Sequence, residues 1–492
     1  MIDRRLDKRR RRFNRGRSRP DRSATRLRSY GSMNRRQINP AVRVIAAAVV
    51  VLLIVVTGPL WLRLLGQVVP DGYIMAYAPA RLQPVMLGFD PQAQVPTPAA
   101  AAAVDAESLL VITPTQTPSP TPTVDPDILN NPDAYPDDYV QPTPVAIAPT
   151  PTVTPAAALP VDPRAADIEN ASDLTTVQAL LTGFDWEQQG INNCGPASLK
   201  TLLSYWGESF TEDEAAAFLK PTGSDPNVRP DEMANYAATL GYETTIRVNG
   251  TREMMQRFID AEYPVMIETG YNPEPDTIGW TSHYLTLVGY SPEGFIAMDT
   301  YRRPNWFYPY AEIDQYWRQF NRKVLIFHRP EQRAAVESII LADLRRNGLE
   351  ESLSDEAMYE AAKLRAQSEL LINREDPYAW YNLGASLTGL GQYADAVSAF
   401  TEARRLGLPE RFPWYQFEMY EAYLQVGATQ EVITIAEAVL LRRQTEEAHY
   451  YMGLALAAEG DLDGARTQLS RALAFNPNYE DAQLALDALG EE

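Results

Sequence analysis

An α+β domain followed by an all-α solenoid of helical repeats, both placed behind a single transmembrane helix and a disordered Pro/Thr-rich stalk, is the architecture this 492-residue sequence predicts. Three observations predict it. A long uncharged run follows an arginine-rich start, proline thins abruptly after residue 170, and from about residue 334 a helical pattern repeats itself. The length alone calls for more than one folded unit, since single cores stop growing well short of it.

The overall charge of −20 hides a strong polarity: residues 1–43 carry 16 Arg or Lys against Asp3, Asp7 and Asp21, a local balance of +13, which leaves −33 for the rest. Such a basic tail can be a nucleic-acid arm, but no charge interrupts Val44 to Leu62 immediately after it. Nineteen uncharged, predominantly apolar residues span a bilayer core of about 30 Å as a helix. Residues 44–65 are therefore read as a transmembrane helix, with a cleavable signal peptide as the competing reading. Arginines crowd its N-terminal side, so the positive-inside rule keeps residues 1–43 cytoplasmic and exports the chain beyond the helix. Anionic lipid headgroups, rather than nucleic acid, are the expected contact of the tail.

Residues 66–169 form a juxtamembrane segment and a Pro/Thr/Ala-rich linker, with runs such as TPTQTPSPTPTVDP. This composition buries too little apolar surface to offset its ordering entropy, and its prolines favour extended chain. A stalk that holds the rest away from the membrane is the reading.

Residues 170–330 alternate between two periodicities. Leu199, Leu202, Leu203 and Trp206 fall at i, i+3, i+4 and i+7, the stripe of a helix ended by Gly207. Thr211 and Glu214 make a capping box for a second helix. Another helix runs from Asp231 to Leu240, and one more begins after Thr251. Then PVMIETGY, HYLTLVGY, GFIAMDTY and KVLIFH read as strands, two of them joined by a turn at SPEG, residues 291–294. Helices first and antiparallel strands afterwards give the α+β class.

Residues 331–492 are helical. Trp380, Leu383, Gly384, Gly391, Tyr393, Ala396, Phe400 and Ala403 mark one unit, and Gly453, Gly460, Ala465, Leu469, Ala472 and Pro477 mark another. A degenerate copy between them puts Gly427 in the place of Gly391. The interval from Gly384 to Gly453 is 69 residues, two periods of a roughly 34-residue unit. The pattern resembles a tetratricopeptide-repeat array of about three units over residues 350–490, preceded by a helix or partial repeat before Pro377. That resemblance implies a protein partner for the repeats.

The chain uses cysteine once, in QQGINNCGPASL, just before the first apolar helix. A lone exported cysteine makes no internal disulfide, so Cys194 is either a small buried residue or a reactive thiol. Helix N-termini and a neighbouring imidazole both favour the thiolate. Three histidines exist. His449 lies among the repeats and His328 ends an apolar strand, both read as structural, whereas His283 opens a strand beside the IGWTS loop. Asp299 comes 16 residues after His283 across a hairpin, a separation that brings residues on adjacent strands side by side. A carboxylate there fixes an imidazole's tautomer. Gln188, six residues before Cys194, offers an amide to an oxyanion alongside a backbone N–H. Each residue alone also has a plain reading, as buried hydrophobe, structural histidine, turn residue or surface glutamine.

Taken together, QQGINNCGPASLKTLLSYWG, TSHYLTLVGY and MDTY resemble the papain-like bacteriocin-processing cysteine peptidases that cut after double-glycine leaders, over about residues 175–330. The resemblance implies a papain-like fold in which Cys194 is the nucleophile, His283 the base, Asp299 its orienting acid and Gln188 an oxyanion-hole donor. Asn193 stands where exporter-linked members often carry an acid, and no ATP-binding or multi-span transporter module accompanies the domain. A bacteriocin-export role is therefore not implied.

The expected function is that of a thiol peptidase, a hydrolase cleaving peptide bonds by acyl transfer, single-pass in a bacterial cell membrane with its C-terminal domains extracytoplasmic. The alternatives are a non-catalytic peptide-binding scaffold and a thiol amidase or transferase. No cofactor or metal is expected, because one cysteine and three scattered histidines lack zinc spacing, and neither a phosphate loop nor a dinucleotide fingerprint occurs. Trp280, Tyr271 and Trp306 are readable either as walls of a substrate cleft or as core.

Overall fold

The computed structural model describes residues 93–98, 109–110, 178–222, 225–272, 279–349 and 351–490, all within one compact unit running from Pro59 to Glu492. The expected transmembrane helix at 44–65 and the basic tail lie outside the described residues. No helix of the described residues is long and apolar enough to cross a membrane.

The first domain opens with a short strand, β1 (Ala179–Leu180), and three helices, α1 (Cys194–Ser204), α2 (Glu212–Leu219) and α3 (Pro230–Thr239). Thr211 caps α2 with the foreseen box, its side chain accepting from Glu214 N. Then come β2 (Glu243–Arg247), α4 (Arg252–Asp260), β3 (Val265–Tyr271), β4 (Thr281–Tyr290), β5 (Gly294–Asp299), β6 (Arg303–Pro309), α5 (Tyr310–Trp317) and β7 (Val324–His328). The strands form a seven-stranded sheet in the order β2-β7-β3-β4-β5-β6, with β1 paired to β4 off that path. Every pairing is antiparallel.

The leucine stripe of α1 does what its spacing predicts: Leu199, Leu202 and Leu203 are fully buried against Met266, Tyr284, Leu325 and Phe327 of the sheet. On the other side α4 lays Met255 and Phe258 onto Ile267, Leu285 and Leu287. The four foreseen strands are present. Three others, β1, β2 and β6, were not foreseen; β1 is two residues long, and β2 and β6 lie at the ends of the sheet order. An edge strand tolerates proline, and β6, RPNWFYP, carries two with only one residue buried, so no alternation announces it.

Helices continue with α6 (Arg333–Arg346), α7 (Asp355–Ile372), α8 (Pro377–Gly389), α9 (Tyr393–Leu406), α10 (Glu418–Gln425), α11 (Thr429–Arg442), α12 (Glu446–Ala458), α13 (Leu462–Phe475) and α14 (Glu480–Ala488). The turns joining α8 to α9, α10 to α11 and α12 to α13 use Gly391, Gly427 and Gly460 at φ of 71°, 74° and 86°, the left-handed region that favours glycine. Small residues set the helix spacing: a β-carbon on Gly384 would meet the Phe400 ring at 2.6 Å, and one on Gly453 would meet Leu469 at 2.8 Å.

One expectation needs correction. Part of the linker read as a disordered stalk is seated on the repeats. Val95 is 2% exposed and Leu110 6%, both in the repeat core. The backbone of the first piece is paired as well, with Val95 N donating to Leu408 O at 2.9 Å and Glu410 N to Ala93 O at 2.8 Å. Extended chain leaves its backbone groups unpaired, and a complementary edge satisfies them without any helix or hairpin being formed.

By helix propensity alone Gly384→Ala gains about 1 kcal/mol, yet its methyl would overlap the ring of Phe400, which is fully buried. A net loss of about 1–3 kcal/mol is expected, read as a lowered urea midpoint. A neutral or stabilised variant would show that α8 and α9 do not approach this closely.

Candidate active site

The loop ahead of Cys194 is pinned from two directions. Glu212, at the start of α2, accepts the Gly190 N–H at 2.9 and 3.0 Å and the Asn193 side-chain amide. Lys220, just past the end of the same helix, donates to the Asn192 carbonyl at 2.7 Å and to that of Asp225 at 2.5 Å. Asn192 takes φ of 57°, a conformation asparagine tolerates. After the thiol comes Gly195, where a β-carbon would come within 2.9 Å of Val228 Cβ. The glycine of CGP is thus a close-approach residue that lets the 225–230 loop lie against the N-terminus of α1. Cys194 itself is half-buried.

His283 stands in β4 opposite Thr269 of β3, 3% exposed, and Asp299 ends β5 at 0%. Their Nε2–Oδ1 separation is 2.9 Å. With Nε2 committed to the carboxylate, Nδ1 is left for the Cys194 side chain, which lies near enough to help raise the imidazole's pKa. The structure therefore brings together three residues distant in sequence. Gln188 is exposed, and the chain that carries it is tied to the end of β5. Its neighbour Gln189 donates its N–H to Thr300 O at 2.8 Å and accepts from Thr300 Oγ1 at 2.9 Å.

Burial by itself disfavours a charged imidazole, but the charge and hydrogen bond of Asp299, with a smaller contribution from Cys194, outweigh it and raise the His283 pKa to about 9. Asp299 moves the opposite way: burial raises its carboxyl, while His283, Tyr308 and the Tyr301 N–H hold it below the ordinary aspartate range. The carboxylate is heavily bonded. Oδ1 also accepts the N–H groups of Tyr301 and Arg302 at 2.8 and 3.1 Å, and Oδ2 accepts the Tyr308 hydroxyl at 2.6 Å.

Of the aromatics read as cleft or core, the Tyr271 ring lies 5.0 Å from the imidazole. Trp306 is half-buried with the Arg302 guanidinium 4.6 Å above it. Trp280 is core, stacked on Phe320 at 5.9 Å and tilted against Phe412 of the repeats at 5.0 Å. His328 and His449 are structural: the first bonds Thr245 Oγ1 and the Arg329 carbonyl, the second Gln468 and Gln444. Sequence reasoning missed Tyr308, Lys220, Glu212 and Tyr415. The last comes from the repeats, donates to or accepts from Thr281 at 2.9 Å, and lies near enough to feel a charge on Cys194. No motif spacing signals any of them, because Glu212 and Lys220 come from the two ends of α2, Tyr308 from β6 and Tyr415 from the repeats.

Residues 181–325 match the model of the Peptidase_C39 like family, and residues 446–479 match the tetratricopeptide repeat model. The chain carries a C39-like domain joined to tetratricopeptide repeats. Among solved structures it is similar to a protein described as a C39-like peptidase from Bacillus anthracis, at 18% identity over 31% of this chain and 97% of that one, TM-score 0.26. A double glycine motif protease from an AMS/PCAT transporter, in complex with the leader peptide, aligns at 17% identity over 30% and 94%, TM-score 0.24. MamA from Desulfovibrio magneticus RS-1 aligns at 21% over 32% and 83%, TM-score 0.25. No curated protein matches.

Because the His283 pKa rises from 6.5 to about 9 on folding, its charge stabilises the fold fully below pH 6.5, and that stabilisation is lost as the pH climbs through 9. A nuclear magnetic resonance titration of the His283 ring is expected to centre near 9. In Asp299→Asn the largest influence opposing burial is removed and only the smaller one of Cys194 remains, so the midpoint should fall well below 9. An unchanged midpoint would remove Asp299 as the cause.

Proposed function

We propose that this chain is a cysteine peptidase that cleaves peptide bonds by thiol acyl transfer, with the repeats binding a protein partner or substrate. The observation that supports the reading is the nearness of Cys194 to an imidazole, that of His283, whose Nε2 is held 2.9 Å from the Asp299 carboxylate, which leaves Nδ1 uncommitted.

His283 Nδ1 takes the thiol proton, and Cys194 Sγ attacks the scissile carbonyl. The first N–H groups of a helix have no intrahelical partner, so the Cys194 N–H at the start of α1 is free to meet the tetrahedral oxyanion together with the Gln188 amide. The imidazolium gives its proton to the departing amine, leaving a thioester. Water, deprotonated by His283, then releases the acid and restores the thiol. Asp299 keeps one tautomer throughout and stabilises the charged ring. Attachment to a membrane, with the catalytic domain on the far side, is part of the proposal, and it is supported by the uncharged run from Val44 to Leu62 and the arginines before it.

With the exported fragment incubated on a mixed protein extract, new termini read by mass spectrometry are expected for the native chain and absent for Cys194→Ala. Gln188→Ala should lose about 10²–10³ in kcat while keeping its thermal midpoint, since the side chain is exposed. Equal cleavage by native and Cys194→Ala chains would refute the thiol mechanism. A pool of new amides or isopeptides in place of new termini would redirect it to a transferase.

A further inference from the structure

Between the sheet domain and the repeats lies a cavity of about 270 Å³, walled on the repeat side by Tyr415, Phe417, Glu418, Glu421 and Tyr451. Two observations, together with the reach of a Cys194 charge to Tyr415, place it near the thiol. On the sheet-domain side it is lined by Arg229, the residue after Val228, which is itself the residue packed on Gly195. On the repeat side Tyr415 contacts Thr281 at 2.9 Å, and alternate residues of a strand share a face, so Thr281 and His283 point the same way.

The cations of this cavity are already engaged. Lys323 Nζ sits 3.1 Å from Glu268 Oε2. Arg229 pairs with Asp231 at 2.9 Å and spreads over the Tyr479 ring at 4.2 Å. The carboxylates are less well matched: Glu418 accepts a phenol hydrogen bond from Tyr381 at 3.2 Å and shares the Lys323 charge with Glu268 without an ion pair of its own, and Glu421 has no ion pair among the described residues. Aromatic faces complete the wall, with Phe417 and Tyr451 stacked at 6.0 Å. Acidic residues in the first turn of a helix also suit its dipole, but that preference does not require both to face one cavity.

We propose that this cavity is a subsite of the same cleft, receiving the lysine or arginine side chain of a peptide whose scissile bond lies over Cys194. The assignment rests on the peptidase reading. Carboxylates combined with ring faces recognise an ammonium or guanidinium head and reject an acidic one.

The test uses the full chain and a random dodecapeptide library. Immobilised Cys194→Ala chain should enrich peptides containing Lys or Arg about tenfold over a Cys194→Ala/Glu418→Gln/Glu421→Gln chain. That comparison removes non-specific attraction to an acidic protein. Equal enrichment by the two chains overturns the subsite. Should the triple variant fail to fold by circular dichroism, Cys194→Ala/Glu421→Gln replaces it, because Glu421 is exposed. In parallel the native chain should cut the library with a basic residue at a fixed distance from the scissile bond, a preference lost in Glu418→Gln/Glu421→Gln. Cutting without that preference sinks the subsite and leaves the peptidase standing. Selective retention without any cutting sinks the peptidase and leaves a peptide-binding site.

Discussion

Everything at the candidate site depends on keeping one carboxylate charged where water does not reach. Asp299 is fully buried, and an isolated buried charge would neutralise itself or cost several kcal/mol. It persists because its oxygens accept from an imidazole, two backbone N–H groups and a phenol. Two irregularities in the sheet lie close by. The pairing of β5 with β6 shifts between Ala297 and Asp299, and that of β4 with β5 shifts between Leu287 and Gly289. Bulges re-aim side chains next to sites. Here one places the Asp299 carboxylate toward β4, while the other makes room for β1, whose Ala179 carbonyl would lie 2.7 Å from a β-carbon on Gly289.

The repeats are joined to the sheet domain by buried polar contacts rather than by a loose tether. Asn227 Nδ2 reaches Glu447 at 2.9 Å, Asn476 Nδ2 reaches Glu232 at 2.8 Å, and Gln416 Nε2 reaches the Gln319 carbonyl at 3.0 Å. Separating the two would strand donors and acceptors at about 1–3 kcal/mol each, and would uncover Trp280 as well. Burial, and then Asp225, push Glu447 up to about 7. Asp225 is also the residue whose carbonyl holds Lys220, the lysine that bonds the loop ahead of Cys194. The repeat helix α12 and the nucleophile loop are thus neighbours through a single buried lysine.

Much of this was legible because it is periodic or local. The stripe Leu199, Leu202, Leu203 reports its own burial. Ser291 to Gly294 announces a hairpin, and Gly384 with Gly453 marks two copies of one helix contact. The order Cys194, His283, Asp299 was readable because a hairpin fixes which residues of two strands meet. What stayed hidden is convergence without periodicity. Tyr308 sits in an edge strand that begins with Arg-Pro and ends in proline. Lys220 acts through a backbone carbonyl 28 residues away. Val95 is one apolar residue among Gln, Pro and Thr, and its burial depends on an edge supplied by Leu408 and Glu410, more than 300 residues further on.

The burial of the site limits what can enter it. With the imidazole 3% exposed and the sulfur half-buried, a peptide bond inside a helix or a central strand cannot reach the thiol, because its own side chains and hydrogen bonds stand in the way. A tail or loop can. On the peptidase reading, the substrate is then a flexible segment of something larger, and the remainder of that partner must lie outside the cleft. The repeats pack against the strand that carries His283, with the Tyr415 hydroxyl 2.9 Å from Thr281. A partner held by the repeats would present its free segment at high effective concentration, so selection can rest on two weak engagements rather than on one tight pocket at the scissile bond.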